Sequence, residues 1–403
     1  MDTWNLSALL APQSTESFYR DFLGKFALLI SSAPDKWKHI LSWDDISGIL
    51  TYSGIISPRL RLYKAGVEVS TDTYQTDDPS GYPRLRLLEV NRQLREGATL
   101  VIDSADSLKR TVSELCRGVE QDLSVPVQAN LFVTCLQKSA GKLLWNDYDM
   151  FVLQVSGATL WRIYGPTTPF ATKVSLPPEP AGSPAWETSL ASGYLLYVPR
   201  GYWYSETTDG GAEFHLRMMF RNPTALDVVY RLVDELNSVP KMRMDYPIFG
   251  DADSQSRCLT MILHELSKIA EGPGVIRGFL NDMRVISDPR AQCGLPWSAL
   301  SDISAAPKTL EVIPMVRFLI AETVHRASNE NDVEVFHAGR NVRFNNDVGS
   351  LFEHICLRCP IPLGEVLMYG ERTQPQAQVF ENLDILLRHD LIVLREPRNL
   401  SSR

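Results

Sequence analysis

Histidine is scarce: the 403 residues hold 7, and only His39 and His215 fall within the first 222. An enzyme that holds its metal with imidazoles needs them gathered, so the shortage argues against one. Basic residues form no block and the net charge is −8. That excludes the basic stripe that follows a nucleic-acid backbone and favours a cationic or neutral partner. No apolar run approaches the length of a bilayer span. The opening Met1-Asp2-Thr3-Trp4 has no basic region, so no secretory signal is expected. The 6 cysteines are scattered and read as reduced thiols of a cytoplasmic protein. Cys356-Leu357-Arg358-Cys359, with His354 just upstream, is a lone CxxC without the second pair a zinc site needs. Serine-hydrolase, P-loop and dinucleotide-binding patterns are missing.

What is present is an ordinary globular composition, with 44% hydrophobic and 22% charged residues. The length exceeds what one core serves, so two or three domains are expected. Ser14-Thr15-Glu16 offers a helix N-cap ahead of Phe18, Phe22 and Leu23 at helical spacing. Residues 108–119 read as a helix, and 84–87, 99–103 and the near-continuous apolar run 150–155 read as strands. The four prolines within 176–184 mark a loop, and Asp-Gly-Gly at 209–211 marks a turn. Beyond Asn222-Pro223 the pattern turns helical, at 225–236, 259–270 and 274–283. In the tail, 312–327, 348–359 and 379–390 read as helices and 391–396 as a closing strand.

Two stretches carry chemistry. Leu144-Trp145-Asn146-Asp147-Tyr148-Asp149-Met150-Phe151-Val152-Leu153-Gln154-Val155-Ser156-Gly157 resembles the metal-binding strand of the JmjC/cupin-type ribosomal oxygenases, H-x-D then D-h-F-x-L-Q-h-x-G, with h apolar. Gly193-Tyr194-Leu195-Leu196-Tyr197-Val198-Pro199-Arg200-Gly201-Tyr202-Trp203-Tyr204 resembles that family's G-D-x-L-Y-h-P-x-G-x-x-H. Val127 to Thr134 is similar to a third family strand, v-Q-x-N-L-Y-x-T. The resemblance implies an α+β chain in three parts: a double-stranded β-helix (cupin/JmjC) barrel with N-terminal helices over 1–222, a helical dimerisation module over 223–308, and a C-terminal winged-helix domain over 309–403.

It also implies where an Fe(II) site would be, and the ligands there are gone. Leu144 and Tyr204 stand at the two histidine positions and Asn146 at the aspartate position. A leucine has no lone pair, and a neutral amide is a poor substitute for a carboxylate in a set of two imidazoles and one anionic oxygen. The family's 2-oxoglutarate anchor, a Lys or Arg two residues before Trp161, is Thr159, whose hydroxyl forms no charge-assisted pair with a carboxylate. Arg162 faces the other way by strand alternation. No metal, no cofactor and no catalytic residue are therefore expected. Asp147, Asp149 and His215 are the nearest candidates for a relocated metal site.

The functional expectation is a catalytically silent oxygenase fold that binds a peptide or protein segment and guides modification of a ribosomally made precursor peptide by a partner enzyme. Peptide-binding candidates are Asn130, Trp145, Tyr148, Arg200, Tyr202, Tyr204 and Arg217, since clustered aromatics grip a peptide at low entropic cost. A second docking edge is read at 391–396. The alternative is an active enzyme: a hydroxylase with relocated ligands, or a metal-independent peptide-cyclising enzyme using Tyr204, Asp147 or Glu206. A homodimer is expected, with no nucleic acid and no membrane.

Overall fold

The computed structural model describes residues 4–136, 141–208, 211–272, 275, 278–279, 290, 293–299, 302–315, 324–326, 332–337 and 340–397. The chain divides into two compact units, Met1–Asn222 and Pro223–Arg403.

The first unit is built on two sheets. The larger has the order β1 (Leu28–Ile30), β12 (Leu195–Val198), β9 (Asp149–Ser156), β14 (Glu213–Phe220), β7 (Val127–Thr134), β6 (Thr99–Ile102), β2 (Leu60–Lys64) and β3 (Val67–Glu68). The smaller has the order β11 (Trp186–Ala191), β10 (Ala158–Pro166), β13 (Tyr202–Thr208) and β8 (Leu144–Trp145). A separate hairpin joins β4 (Gln75–Asp77) to β5 (Pro83–Leu85). The two sheets face one another as a double-stranded β-helix.

The central strands are apolar on both faces because both are covered. Alternate residues Met150 and Val152 of β9 join Leu196, Val198, Trp161, Ile163 and Tyr204 in the core between the sheets. The intervening Phe151 meets Phe18 at 5.5 Å, and Tyr197 meets Phe18 edge-on at 4.9 Å. Trp43 stands edge-on to Phe214 at 4.7 Å. Phe18 opens a π-helical turn, Phe18–Phe22, that continues the short helix Thr15–Ser17 capped by Ser14. Trp43 lies in the helix Trp43–Tyr52, started by a capping box of Ser42 and Asp45.

In the second unit the helices Ala225–Leu236 and Ala252–Ala270 pack together. A three-stranded sheet of order β19 (Ile361–Pro362), β15 (Glu311–Pro314), β20 (Ile392–Arg395) shares a core with the helices Asn346–Arg358, Leu363–Gly370 and Gln376–Arg388. A second sheet joins β16 (Val324–Arg326), β17 (Asp332–His337) and β18 (Arg340–Asn345).

Two expectations change here. The stretch 312–327, read as one helix, contains β15 and β16 instead, with 316–323 and 327 outside the described residues. Val312 and Ile313 are β-branched and every residue of β15 is buried, which suits a strand under helices better than an amphipathic helix. The strand at 391–396 does close a sheet edge, but all four residues of β20 are buried. It therefore offers no open edge for a peptide strand. The helix read at 274–283 and Asp209 and Gly210 of the 209–211 turn fall almost wholly outside the described residues. Among the described residues no helix is long and apolar enough to cross a membrane.

Candidate functional site

The three positions that the motifs single out converge. β8 pairs antiparallel with β13 so that Leu144 stands opposite Tyr204, and alternation returns Asn146 to the same side as Leu144. The Asn146 amide donates to Tyr204 Oη at 2.8 Å and approaches Met150 Sδ at 3.7 Å. Tyr204 is 2% exposed, and burial, opposed by Arg217, leaves its phenol above its usual range. The place of a metal is thus filled by a hydrogen-bonded amide and phenol beside an apolar side chain. This set does not fit a divalent cation: one member has no donor atom, one is neutral with its N–H directed at the third, and the third stays protonated. Among the described residues no three His, Cys, Asp or Glu side chains are grouped to hold a metal ion. The relocated set fails on position. His215 lines the cavity, whereas Asp147 and Asp149 do not, and Asp149 accepts from Tyr197 Oη at 2.5 Å.

Around these positions lies a cavity of about 370 Å³, with walls from β7, β10, β13 and β14, within the range of ligand pockets. Its buried wall is a column of three side chains on β14. Glu213, His215 and Arg217 stand at alternate positions, facing inward together. Arg217 is 5% exposed. Its Nε donates to His215 Nε2 at 3.1 Å, NH1 reaches Tyr204 Oη at 3.5 Å and NH2 pairs with Glu206. Its guanidinium lies 3.7 Å over the Phe132 ring. Because a guanidinium only donates, His215 Nε2 must accept and the imidazole proton sits on Nδ1. Nδ1 lies 3.1 Å from Glu213 Oε2, which also accepts from Gln154 at 2.9 Å. Burial lowers the pKa of the Arg217 guanidinium, but Glu206 and Tyr204 outweigh it and the pKa stands above the ordinary value.

Burial works against ionisation of Glu213, yet His215, Gln154 and Thr134 outweigh it and hold the carboxyl below its ordinary range. A folded pKa below the unfolded one adds stability that is complete above the unfolded value and is lost as pH falls through the folded value. The melting temperature should therefore fall on acidification below about pH 4.5. Glu213→Gln should flatten that limb in a calorimetric pH series; an unchanged limb would assign it to other carboxylates.

The remaining candidates separate. Asn130, Tyr148, Thr159, Tyr204 and Arg217 line the cavity with Leu144 and Asn146. The Asn130 amide is already bound, donating to Asp103 at 2.7 Å and accepting from Ser104 at 3.0 Å. Burial raises the Tyr148 phenol well above its usual range. Trp145, Arg200 and Tyr202 lie elsewhere. Trp145 packs on Trp203 with ring centroids 6.4 Å apart, because it alternates with Leu144 and Asn146. Tyr202 donates to the Lys25 carbonyl at 2.8 Å. Arg200 lies beside Asp149, to which its backbone N–H donates. Arg162 pairs with Glu187 at 2.5 Å. Sequence reading missed Glu213 and Thr208 as cavity residues and took Glu206 only as an alternative acid or base.

A family model described as "JmjC domain" matches residues 108–228. The chain is 26% identical over 209 residues to the bifunctional lysine-specific demethylase and histidyl-hydroxylase NO66 of Dictyostelium discoideum, covering 49% of this chain and 38% of that protein. It is 25% identical over 221 residues to ribosomal oxygenase 2 of Mus musculus, covering 52% and 45%. The chain thus spans under half the length of these relatives. The solved structure of the Escherichia coli ribosomal oxygenase YcfD with cobalt and 2-oxoglutarate superposes with a TM-score of 0.57 at 13% identity, over 94% of this chain and 97% of that one. Barrel topology, motif order and these likenesses agree: residues 108–228 carry a JmjC domain on a JmjC/cupin fold, and the chain is similar to the ribosomal oxygenases.

Proposed function

We propose that this chain is a non-oxygenating member of its family that binds a peptide or protein segment, a side chain of which enters the barrel cavity. The observation that carries this reading is the Asn146–Tyr204 hydrogen bond, which occupies the point where family members hold their metal. Thr159 in place of a cationic anchor supports it, since a buried dicarboxylate would have no counter-ion there. Such a protein would present a ribosomally made precursor peptide to a partner enzyme. The test combines metal analysis of the purified protein, 2-oxoglutarate turnover and calorimetric titration with peptides encoded beside its gene. Binding without iron and without turnover is expected; stoichiometric iron with turnover, or no peptide bound, would defeat the reading. A second reading, metal-independent peptide cyclisation, draws on the unpartnered Glu206 Oε2. A mass change in the bound peptide would favour it.

The helix Ala225–Leu236 exposes Leu226, Val229, Tyr230 and Val233 at spacings of three, four and seven residues. Leu259 and Leu263 are exposed one turn apart on the neighbouring helix. We assign this apolar stripe to a homodimer, as two such faces would bury each other. Val229→Asp with Val233→Asp should shift gel-filtration elution from dimer to monomer with the circular-dichroism spectrum retained. A wild-type monomer at micromolar concentration would end this assignment.

A further inference from the structure

We infer that the barrel cavity takes a protonated alkylamine, of the kind carried by a lysine side chain, and excludes dicarboxylates. The inference rests on the proposed reading of the cavity as a side-chain pocket and names its guest.

Thr159 is 1% exposed and lines the cavity, and its hydroxyl bonds to nothing in the protein. Glu206 lines the cavity too, and its Oε2 is buried without a hydrogen-bond partner, 3.7 Å from the lone-pair nitrogen of His215. The two residues are diagonal neighbours across adjacent strands, since Thr159 stands opposite Thr208 and Glu206 opposite Trp161. Diagonal positions on one sheet face lie about 7–8 Å apart at the backbone, so one guest atom reaches both side chains. A carboxylate oxygen only accepts and a hydroxyl can accept, so the missing group is a donor.

Charge points the same way. Around the unpartnered oxygen the wall sets two acidic side chains, the buried Glu213 and the partly buried Glu206, against one buried cation, Arg217. Arg217 directs N–H groups at His215, Tyr204 and Glu206, so it is not waiting for an anion. At the mouth, the Arg61 charge is offset by Asp103 at 2.5 Å and its NH1 donates to Tyr63, which leaves only its Nε without an acceptor. Lys142 is exposed with its stem towards Gly66, where solvent screens its charge. An entering dicarboxylate would meet the bare Glu206 oxygen, while an ammonium would satisfy it and Thr159 together. A guanidinium is a poorer match. Its fork wants both oxygens of one carboxylate, and Glu206 Oε1 is already taken by Arg217.

The test is calorimetry and thermal shift on the full chain with N-acetyl-lysine methylamide, its ε-acetylated derivative, 1,4-diaminobutane and glutarate. The free lysine derivative should bind, with acetylation and glutarate each weakening binding at least about tenfold. Glu206→Gln should abolish the signal. Thr159→Val breaks no bond seen in the structure, so it should fold as wild type and still weaken amine binding several-fold. Glutarate binding as tightly as the amine, or Thr159→Val binding the amine unchanged, would overturn the inference. Diaminobutane alone binding supports the amine pocket and removes the peptide from the proposed function. Peptides that bind with no preference for lysine keep that function and sink the amine pocket.

Discussion

Replacing Arg217 with leucine should destabilise the barrel by about 3–5 kcal/mol, the range for removing one partner of a buried ion pair. The loss has three parts on one side chain. Glu206 keeps its charge with no counter-ion, His215 Nε2 loses the donor that fixes its tautomer, and the Phe132 face loses a cation 3.7 Å away. Apolar volume does not help, because the deficit is electrostatic. Adding Glu206→Gln to Arg217→Leu should recover part of the loss, since the stranded charge goes with it. Chemical denaturation of the four members of this cycle measures it. A single-variant loss below about 1 kcal/mol would mean that water reaches the column and screens it.

Rebuilding the metal set should have the opposite character: a gain of function with little change in backbone. Leu144→His, Asn146→Asp and Tyr204→His together should raise Co(II) affinity by at least about 100-fold over the parent. The geometry for this is already present. The Cα atoms of Leu144 and Tyr204 are register partners, and the polar ends of Asn146 and Tyr204 meet at 2.8 Å. Turnover of 2-oxoglutarate should remain absent in the triple variant, because Thr159 still supplies no cation. Thr159→Lys would have to be added. Absorption of the cobalt complex reads the first claim and succinate release the second. A triple variant with parental Co(II) affinity would show that the barrel no longer brings the three positions to one point.

The course of the barrel was legible because its strands repeat family spacings, and with it the convergence of Leu144, Asn146 and Tyr204. Misplaced candidates came from treating nearness in sequence as nearness in space. Trp145 sits inside the motif but points away, as the middle residue of an alternating triplet must. Tyr202 is two residues before Tyr204 and should share its side. It does pack against the same core, but farther along the strand, where its hydroxyl donates to the Lys25 carbonyl and lies outside the cavity. The missed residues had a readable signal. Counting in twos from Tyr204 gives Glu206 and Thr208, and counting in twos along 213–217 gives the whole column. What no count supplies is which of these polar groups satisfy each other, and that decides that Glu206 and Thr159 are left over.

Confining the buried ionic column to a single strand has a consequence for how the barrel assembles. The residues that alternate with its members along the strand, Phe214, Leu216 and Met218, are as thoroughly buried as the column itself. A one-residue slip of β14 against β7 and β9 would send two opposite charges and an imidazole into hydrocarbon and bring three apolar groups to the polar lumen. The arrangement therefore acts as a key that admits one threading, so its contribution to a unique native state can exceed what it adds to stability.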